Sequence, residues 1–149
     1  MNAERPIILV VDDNPTQQKV INILAEKFGF LTVVVSSGKE ALSAIAACDT
    51  CFDAILMDVN MPDIDGIECT KRLKQFLKNQ GTRMTPIIAI TARASDEDRK
   101  ACIEAGMDDY LSKPFAADDF RRMLLKWAYN ATRPNLRLLP ERKNSAESN

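Results

Sequence analysis

The chain alternates between short runs of apolar, mostly β-branched residues and longer segments in which apolar residues recur at helical spacing. The short runs are residues 7–11, 32–35, 54–57, 87–90 and 110–111. In the segment after the first run, the apolar positions i, i+3, i+4 and i+7 are Ile21, Leu24, Ala25 and Phe28. Runs of the first kind are typical of strands buried on both faces, and the longer segments of helices with one apolar side. Five β-α units in strict alternation predict an α/β fold, a doubly wound parallel sheet with helices on both faces.

The alternating pattern predicts one domain, residues 6–132, because no linker or internal repeat interrupts it. The chain of 149 residues is long enough for one ordinary domain and a tail. Residues 1–5 form a polar N-terminal segment. Residues 133–149 form a polar C-terminal tail that we expect to be disordered, and it is too short for a DNA-binding or enzymatic output domain.

Composition and charge exclude several classes of function. A net charge of −1 gives no reason to expect direct contact with nucleic acid or a membrane surface. Apolar runs are shorter than the ~18 residues of a membrane span, and the N-terminus lacks a secretory signal, so we expect a cytoplasmic location. Histidine is absent. This excludes a Ser/His/Asp or Cys/His catalytic group, a His-ligated zinc and a phosphohistidine within the chain.

The four cysteines do not form a zinc-binding pattern. Cys48 and Cys51 make one C-x-x-C pair, whereas Cys69 and Cys102 stand alone. Such a pair can serve redox or metal chemistry, but a second metal-binding pair is missing. We therefore expect all four to be reduced thiols, as is usual in the cytosol.

Polar residues that could bind a ligand or take part in a reaction follow four of the five predicted strands. Asp12 and Asp13 follow the first strand, Asp58 the third, Thr91 the fourth and Lys113 the fifth. Because the carboxyl ends of parallel strands share one edge of the sheet, where ligands bind, we expect these side chains to meet there. The alternative for the aspartates is that they are ordinary exposed turn acids.

Such a site has the parts needed for phosphoryl transfer. Three carboxylates in one place repel each other unless a cation lies between them. An all-oxygen ligand set favours Mg²⁺ over zinc, with Mn²⁺ as a possible substitute. An ammonium and a hydroxyl suit phosphoryl oxygens. Asp58 is favoured as the acceptor because it stands alone after the central strand, whereas Asp12 and Asp13 suggest a metal-holding pair.

Four sequence blocks, in order and with similar spacing, resemble the response-regulator receiver family of two-component signalling over residues 6–130. The blocks are Val10-Val11-Asp12-Asp13-Asn14, Met57-Asp58-Val59-Asn60-Met61-Pro62, Thr91-Ala92 and Lys113-Pro114-Phe115. The resemblance implies a flavodoxin-like sheet with strand order 2-1-3-4-5. By position, it implies that Asp58 is the phosphoacceptor. It also implies that Asp12, Asp13, Asp58 and the backbone carbonyl of Asn60 bind Mg²⁺.

The same resemblance assigns roles to the ends of the fourth and fifth strands. Lys113 is expected to contact the phosphoryl group, and its peptide bond to Pro114 to be cis. Thr91 is expected to be the switch hydroxyl. Tyr110 is expected to be the switch aromatic, with a buried core aromatic as the alternative.

The resemblance further implies a signalling switch that catalyses only its own phosphorylation and dephosphorylation. The donor would be a phosphohistidine on a histidine kinase or a histidine-phosphotransfer domain. Phosphorylation would change a surface that an output partner, or a second copy in a homodimer, recognises. We expect Asn60 and Arg93 to tune the phosphate lifetime. The sequence resembles receivers attached to hybrid histidine kinases, with a stand-alone regulator as the other setting.

Two other functions are compatible with the α/β pattern. A phosphorylation-independent pseudo-receiver would share the fold, but usually lacks the acids or the lysine that are present here. A haloacid-dehalogenase-type phosphatase would need a second acid two positions after its nucleophile. That position holds Asn60, which argues against the phosphatase.

Overall fold

The computed structural model describes residues 5–48, 51–81, 84–92 and 95–128, in which strands and helices alternate along the chain. The strands are β1 (Ile7–Val11), β2 (Leu31–Val35), β3 (Ala54–Met57), β4 (Ile87–Thr91) and β5 (Asp109–Ser112). The helices are α1 (Pro15–Lys27), α2 (Gly38–Ala47), α3 (Gly66–Gln80), α4 (Asp96–Ala105) and α5 (Ala117–Trp127). The predicted β-α alternation is confirmed. The predicted C-terminal tail and the last residues of the predicted domain lie outside the described residues.

The five strands form one parallel sheet in the order β2-β1-β3-β4-β5. This is the order that the resemblance implied. The chain runs outward from β1 to β2 and then returns to β3 on the other side of β1. The strand order therefore reverses between β1 and β3, where ligands bind in open parallel sheets.

Each face of the sheet has its own apolar core because neighbouring residues of a strand point to opposite faces. Leu9 and Val11 belong to the core under α2, α3 and α4. Ile8 and Val10 belong to the core under α1 and α5. The inner strands are buried, as predicted, apart from the partly buried Ile7 at the start of β1. The strand β2 is more exposed, with Val33 at 41%, because it lies at the edge of the sheet.

The expectation of four reduced thiols is wrong for the C-x-x-C pair. Cys48 and Cys51 form a disulfide, with their Cα atoms 5.5 Å apart. Cys48 directly follows α2, and its carbonyl accepts the N–H of Cys51 at 3.4 Å. This hydrogen bond holds the two residues within disulfide range. Cys69 and Cys102 are free and buried, and burial raises the pKa of the Cys69 thiol to about 12.

Helix termini follow the local sequence signals. Ser95 caps α4 and accepts a hydrogen bond from the N–H of Asp98. Gly106 ends that helix with a φ of 107°, a conformation that favours glycine.

No helix within the described ranges has both the length and the apolar character needed to span a membrane.

Candidate functional site

The structure brings the three predicted aspartates together at the carboxyl edge of the sheet. Asp12 and Asp13 directly follow β1, and Asp58 directly follows β3, the neighbouring strand. One carboxylate oxygen from each lies within 4.8 Å of the others. Asp12 and Asp58 are buried, whereas Asp13 is exposed. The cluster therefore stands at the point where the strand order reverses, with one side open to solvent.

Lys113 provides the positive charge beside the two buried carboxylates. Its Nζ lies 3.0 Å from Oδ2 of Asp12 and 3.8 Å from Oδ1 of Asp58. Backbone amides supply further hydrogen bonds: the N–H of Asn14 donates to Asp12 at 2.9 Å, and the N–H of Asn60 donates to Asp58 at 3.3 Å. Such donors are required because a buried carboxylate without partners is costly.

Burial is the main cause that raises the pKa of Asp58 to about 6. The ammonium of Lys113 opposes this rise, and the neighbouring charge of Asp12 adds to it. Asp58 is therefore ionised at neutral pH and becomes protonated in mild acid. A cation bound at the cluster would favour the ionised form.

The donor set fits a hard divalent cation. Three carboxylates and one ammonium leave a formal charge of −2 at the cluster, which one divalent cation would balance. All the side-chain ligands offered are oxygens, the preference of Mg²⁺ and Mn²⁺. Asn60, whose backbone carbonyl is the further predicted ligand, follows Asp58 by two residues on the same loop.

Gly66 allows the loop after β3 to fold back onto Asp58. The N–H of Gly66 donates to the carbonyl of Val59 at 2.8 Å. A Cβ at Gly66 would lie 2.4 Å from the carbonyl oxygen of Asp58, which is closer than any real contact. Gly66 was not among the site residues predicted from the sequence. The available signal was a glycine at the start of a helix, where other residues have higher helix propensity.

A second residue that the sequence analysis missed is Gln18 on α1. Its side-chain amide donates to the backbone carbonyl of Asp12 at 2.6 Å and to the hydroxyl of Ser36 at 2.9 Å. It thereby links the turn after β1 to the turn after β2. Nothing local in the sequence marks a glutamine on an amphipathic helix for this role.

Thr91 and Lys113 lie side by side at the ends of β4 and β5. Thr91 is fully buried at the last position of β4, and its carbonyl accepts the N–H of Lys113 at 2.9 Å. The peptide bond between Lys113 and Pro114 is cis, as expected. Arg93 lies outside the described residues.

Tyr110 lies on β5, partly buried against the core under α2, α3 and α4. The guanidinium of Arg99, on α4, lies over its ring at 4.9 Å from the centroid. A ring placed between the core and α4 is compatible with both roles considered for it, core aromatic and switch aromatic.

Known proteins resemble the chain over most of its length. The family model of the response regulator receiver domain matches residues 8–125. Sensor protein GacS of Pseudomonas syringae pv. syringae is 34% identical over 146 residues, which are 98% of this chain and 16% of GacS. The histidine-protein kinase BarA of Shigella flexneri is 38% identical over 120 residues, which are 80% of this chain and 12% of BarA. The chain thus spans only a small part of these relatives.

Solved structures agree with this assignment. The receiver domain of sensor histidine kinase PA1611 from Pseudomonas aeruginosa PAO1, solved with a magnesium ion in its active-site cleft, is 36% identical. Its TM-score is 0.74, over 85% of this chain and 100% of that domain. The Ssk1 receiver domain of Saccharomyces cerevisiae, solved with the histidine phosphotransfer protein Ypd1, is 26% identical with a TM-score of 0.75. That match covers 84% of this chain and 90% of the other. With its strand order and the acids and lysine at the carboxyl edge, the chain belongs to the response regulator receiver family.

Proposed function

We propose that this chain accepts a phosphoryl group on Asp58 from a phosphohistidine donor, in a Mg²⁺-dependent reaction, and changes conformation to control a partner. One observation carries the proposal. Asp58 is a buried carboxylate at the strand-order reversal, within 4.8 Å of two further carboxylates and 3.8 Å from the ammonium of Lys113. A structural role alone would not require three acids at one point.

The chain's own residues prepare Asp58 as a nucleophile. A carboxylate oxygen of Asp58 forms a bond to phosphorus while the phosphorus–nitrogen bond of the phosphohistidine breaks, so the phosphoryl group moves without a net redox change. The N–H of Asn60 holds the carboxylate in place. Lys113 offsets the charge of the phosphoryl oxygens, which is most of what this chemistry needs from a protein.

Asp12, Asp13 and Asp58 would hold the metal, together with the backbone carbonyl of Asn60. When bound, Mg²⁺ supplies positive charge against the carboxylates and the incoming phosphoryl oxygens. Mn²⁺ accepts the same oxygen ligands. The magnesium ion in the receiver domain of PA1611 supports this assignment.

The donor and the readout follow from the family. A histidine kinase or a histidine-phosphotransfer domain would supply the phosphoryl group, since this chain contains no histidine. The complex of the Ssk1 receiver with Ypd1 supports a donor of the second kind. Thr91 would then move toward the phosphoryl group, and Tyr110 would turn inward. We also infer a setting within a hybrid histidine kinase, because GacS and BarA contain the matching segment as a small part of longer chains.

Intact-mass measurement tests the proposal. The chain is incubated with acetyl phosphate and Mg²⁺, and separately with a purified phosphohistidine donor. We expect one labile phosphate, which does not form when a chelator is present during the incubation or when Asp58 is replaced in Asp58→Asn. The exposed Asp119→Asn on α5 serves as the matched control and should still be phosphorylated. If neither donor phosphorylates the wild-type chain, the proposal is wrong. The alternative of a pseudo-receiver has no observation in its favour among the described residues.

A further inference from the structure

We propose that Asp63 is a positioning residue for the metal site: by binding the N-terminus of α2, its carboxylate fixes the loop that carries Asn60. This inference rests on the proposed function, in which the backbone carbonyl of Asn60 is a metal ligand. It extends that function to a residue that contacts neither the metal nor the phosphoryl group.

The carboxylate of Asp63 makes two hydrogen bonds to a helix elsewhere in the chain. Its Oδ1 accepts the N–H of Gly38 at 3.3 Å, and its Oδ2 accepts the N–H of Lys39 at 3.1 Å. These are the first two residues of α2, whose N–H groups have no partner within the helix. The hydroxyl of the helix's own cap, Ser37, accepts the N–H of Glu40 at 3.1 Å. The acceptor for the first two amides therefore comes from the loop after β3.

Close packing beneath these hydrogen bonds holds the loop against α2. Gly38 is buried, and a Cβ at its position would lie 3.1 Å from the Cβ of Ile64 and 3.2 Å from the carbonyl oxygen of Ile64. The glycine therefore allows the loop backbone to approach the helix. The thiol of Cys69, on α3, also contacts the carbonyl of Gly38 at 3.7 Å. The contact joins α2, the loop and α3.

Asn60 lies between two fixed points of its loop. At the base, the N–H of Gly66 is bonded to the carbonyl of Val59 at 2.8 Å. At the tip, Asp63 is bonded to α2. Asn60 itself is exposed, whereas the neighbouring Met61 is buried. Without the hydrogen bonds at the tip, the backbone at Asn60 gains conformational freedom, and binding a metal through that backbone must then remove the freedom. Metal affinity should fall for this reason alone.

The hydrogen bonds between Asp63 and α2 persist at neutral pH. The backbone N–H of Ile64, followed by those of Lys39 and Gly38, holds the pKa of Asp63 below its ordinary value, so the carboxylate stays charged. A negative charge also suits the N-terminal end of a helix.

Asp65 provides a matched control in the same loop. It caps α3 and accepts the N–H of Glu68 at 2.9 Å, so its hydrogen bond is to its own helix. Replacing Asp65 removes the same charge from the same loop and also removes a helix cap. It leaves the hydrogen bonds between Asp63 and α2 in place. A difference in Mg²⁺ affinity between variants at the two positions therefore reports the loss of these hydrogen bonds and not the loss of charge.

The experiment measures Mg²⁺ affinity by calorimetry for the full chain and for Asp63→Ala, Asp63→Asn, Asp65→Ala and Asp65→Asn. Asp63→Ala should weaken binding by roughly tenfold, as for outer residues that orient metal ligands, and Asp65→Ala by less than about twofold. Asp63→Asn, with one acceptor oxygen left, should fall between wild type and Asp63→Ala. The asparagine pair also replaces the alanine pair if Asp63→Ala fails to fold.

Nuclear magnetic resonance adds a readout that a purely structural role would not move. The amide signals of Gly38 and Lys39 should shift during a Mg²⁺ titration of the wild-type chain, with the same midpoint as calorimetry, since coupling between two sites is reciprocal. Equal losses of Mg²⁺ affinity in the variants at positions 63 and 65 would overturn the proposal. Amide signals of Gly38 and Lys39 that do not shift with Mg²⁺ would also overturn it. A wild-type chain that is never phosphorylated would instead contradict the proposed function.

Discussion

At the scale of single residues, Asp58 carries a negative charge that its surroundings only partly stabilise. The side chain is 9% exposed, and the ammonium of Lys113 lies closer to Asp12 than to Asp58. The balance of these effects leaves the pKa of Asp58 at about 6, above its ordinary value of 3.8. A carboxyl group with this property stabilises the folded chain less when it is ionised than when it is protonated.

The first prediction concerns Asp58→Asn in the absence of metal. Between about pH 4 and 6 the folded chain binds more protons at Asp58 than the unfolded chain, so its stability falls as the pH rises through this window. Above pH 6 Asp58 is ionised, and the full free-energy cost of burying its charge remains. Asp58→Asn should therefore be more stable than wild type at pH 8, by about 1–2 kcal/mol after allowance for solvent screening. The advantage should vanish near pH 4.

Urea unfolding with a chelator present, at both pH values, measures this difference. Glu104→Gln, an exposed substitution on α4, is the control and should change little at either pH. A gain in Asp58→Asn that is equal at pH 4 and pH 8 would contradict the prediction.

At the scale of elements, the sequence was informative wherever a periodic pattern repeats. Buried strands and one-sided helices have such patterns, so the alternation and the residues at the strand ends, such as Asp58 and Lys113, were predictable. Contacts between distant segments have no local pattern. The close approach of Gly66 to Asp58 and the bonds from α2 to Asp63 depend on where two elements meet. The disulfide depends on a close approach of Cys48 and Cys51 that the C-x-x-C spacing allows but does not require.

The second prediction compares two glycines at the ends of α3. A Cβ at Gly66 would collide with the backbone of Asp58, so Gly66→Ala should cost about 2 kcal/mol or more and weaken Mg²⁺ binding. Gly81 has a φ of 71° and no neighbour within 4 Å of an added Cβ. Gly81→Ala should therefore cost about 1 kcal/mol from backbone strain and leave Mg²⁺ affinity unchanged. Chemical unfolding and calorimetry separate the two effects, and similar Mg²⁺ affinities in both variants would disprove the difference.

The third prediction concerns the disulfide between Cys48 and Cys51. Thiol titration of the unfolded, unreduced chain should find two thiols, from Cys69 and Cys102, and four after reduction. The loop closed by the bond is short, so reduction should lower the free energy of unfolding by only about 2 kcal/mol. The stability of a Cys48→Ser, Cys51→Ser double variant should not respond to reductant. Four reactive thiols in the unreduced chain would exclude the bond.

At the scale of the whole molecule, the charge distribution couples metal binding to folding. The chain carries a net charge of −1, yet the cluster of Asp12, Asp13, Asp58 and Lys113 has a formal charge of −2. The carboxylates come from the ends of two strands and meet only when the sheet is formed. A cation that binds the cluster therefore binds the folded chain and not the unfolded one, and must stabilise the fold.

The fourth prediction follows from this coupling. Mg²⁺ at ten times its dissociation constant should add about 1.4 kcal/mol to the free energy of unfolding. For a domain of this size the melting temperature should rise by roughly 2–6 °C. Because Asp58 titrates with a pKa of about 6, the rise should be largest at pH 8 and should shrink below pH 6, where protons compete with the metal. Asp13→Asn should lose most of the effect at every pH, while the Asp119→Asn control should keep it. Sodium chloride at matched ionic strength separates specific binding from screening. An equal rise with that salt would mean that the carboxylates respond only to ionic strength, and that the cluster is not a metal site.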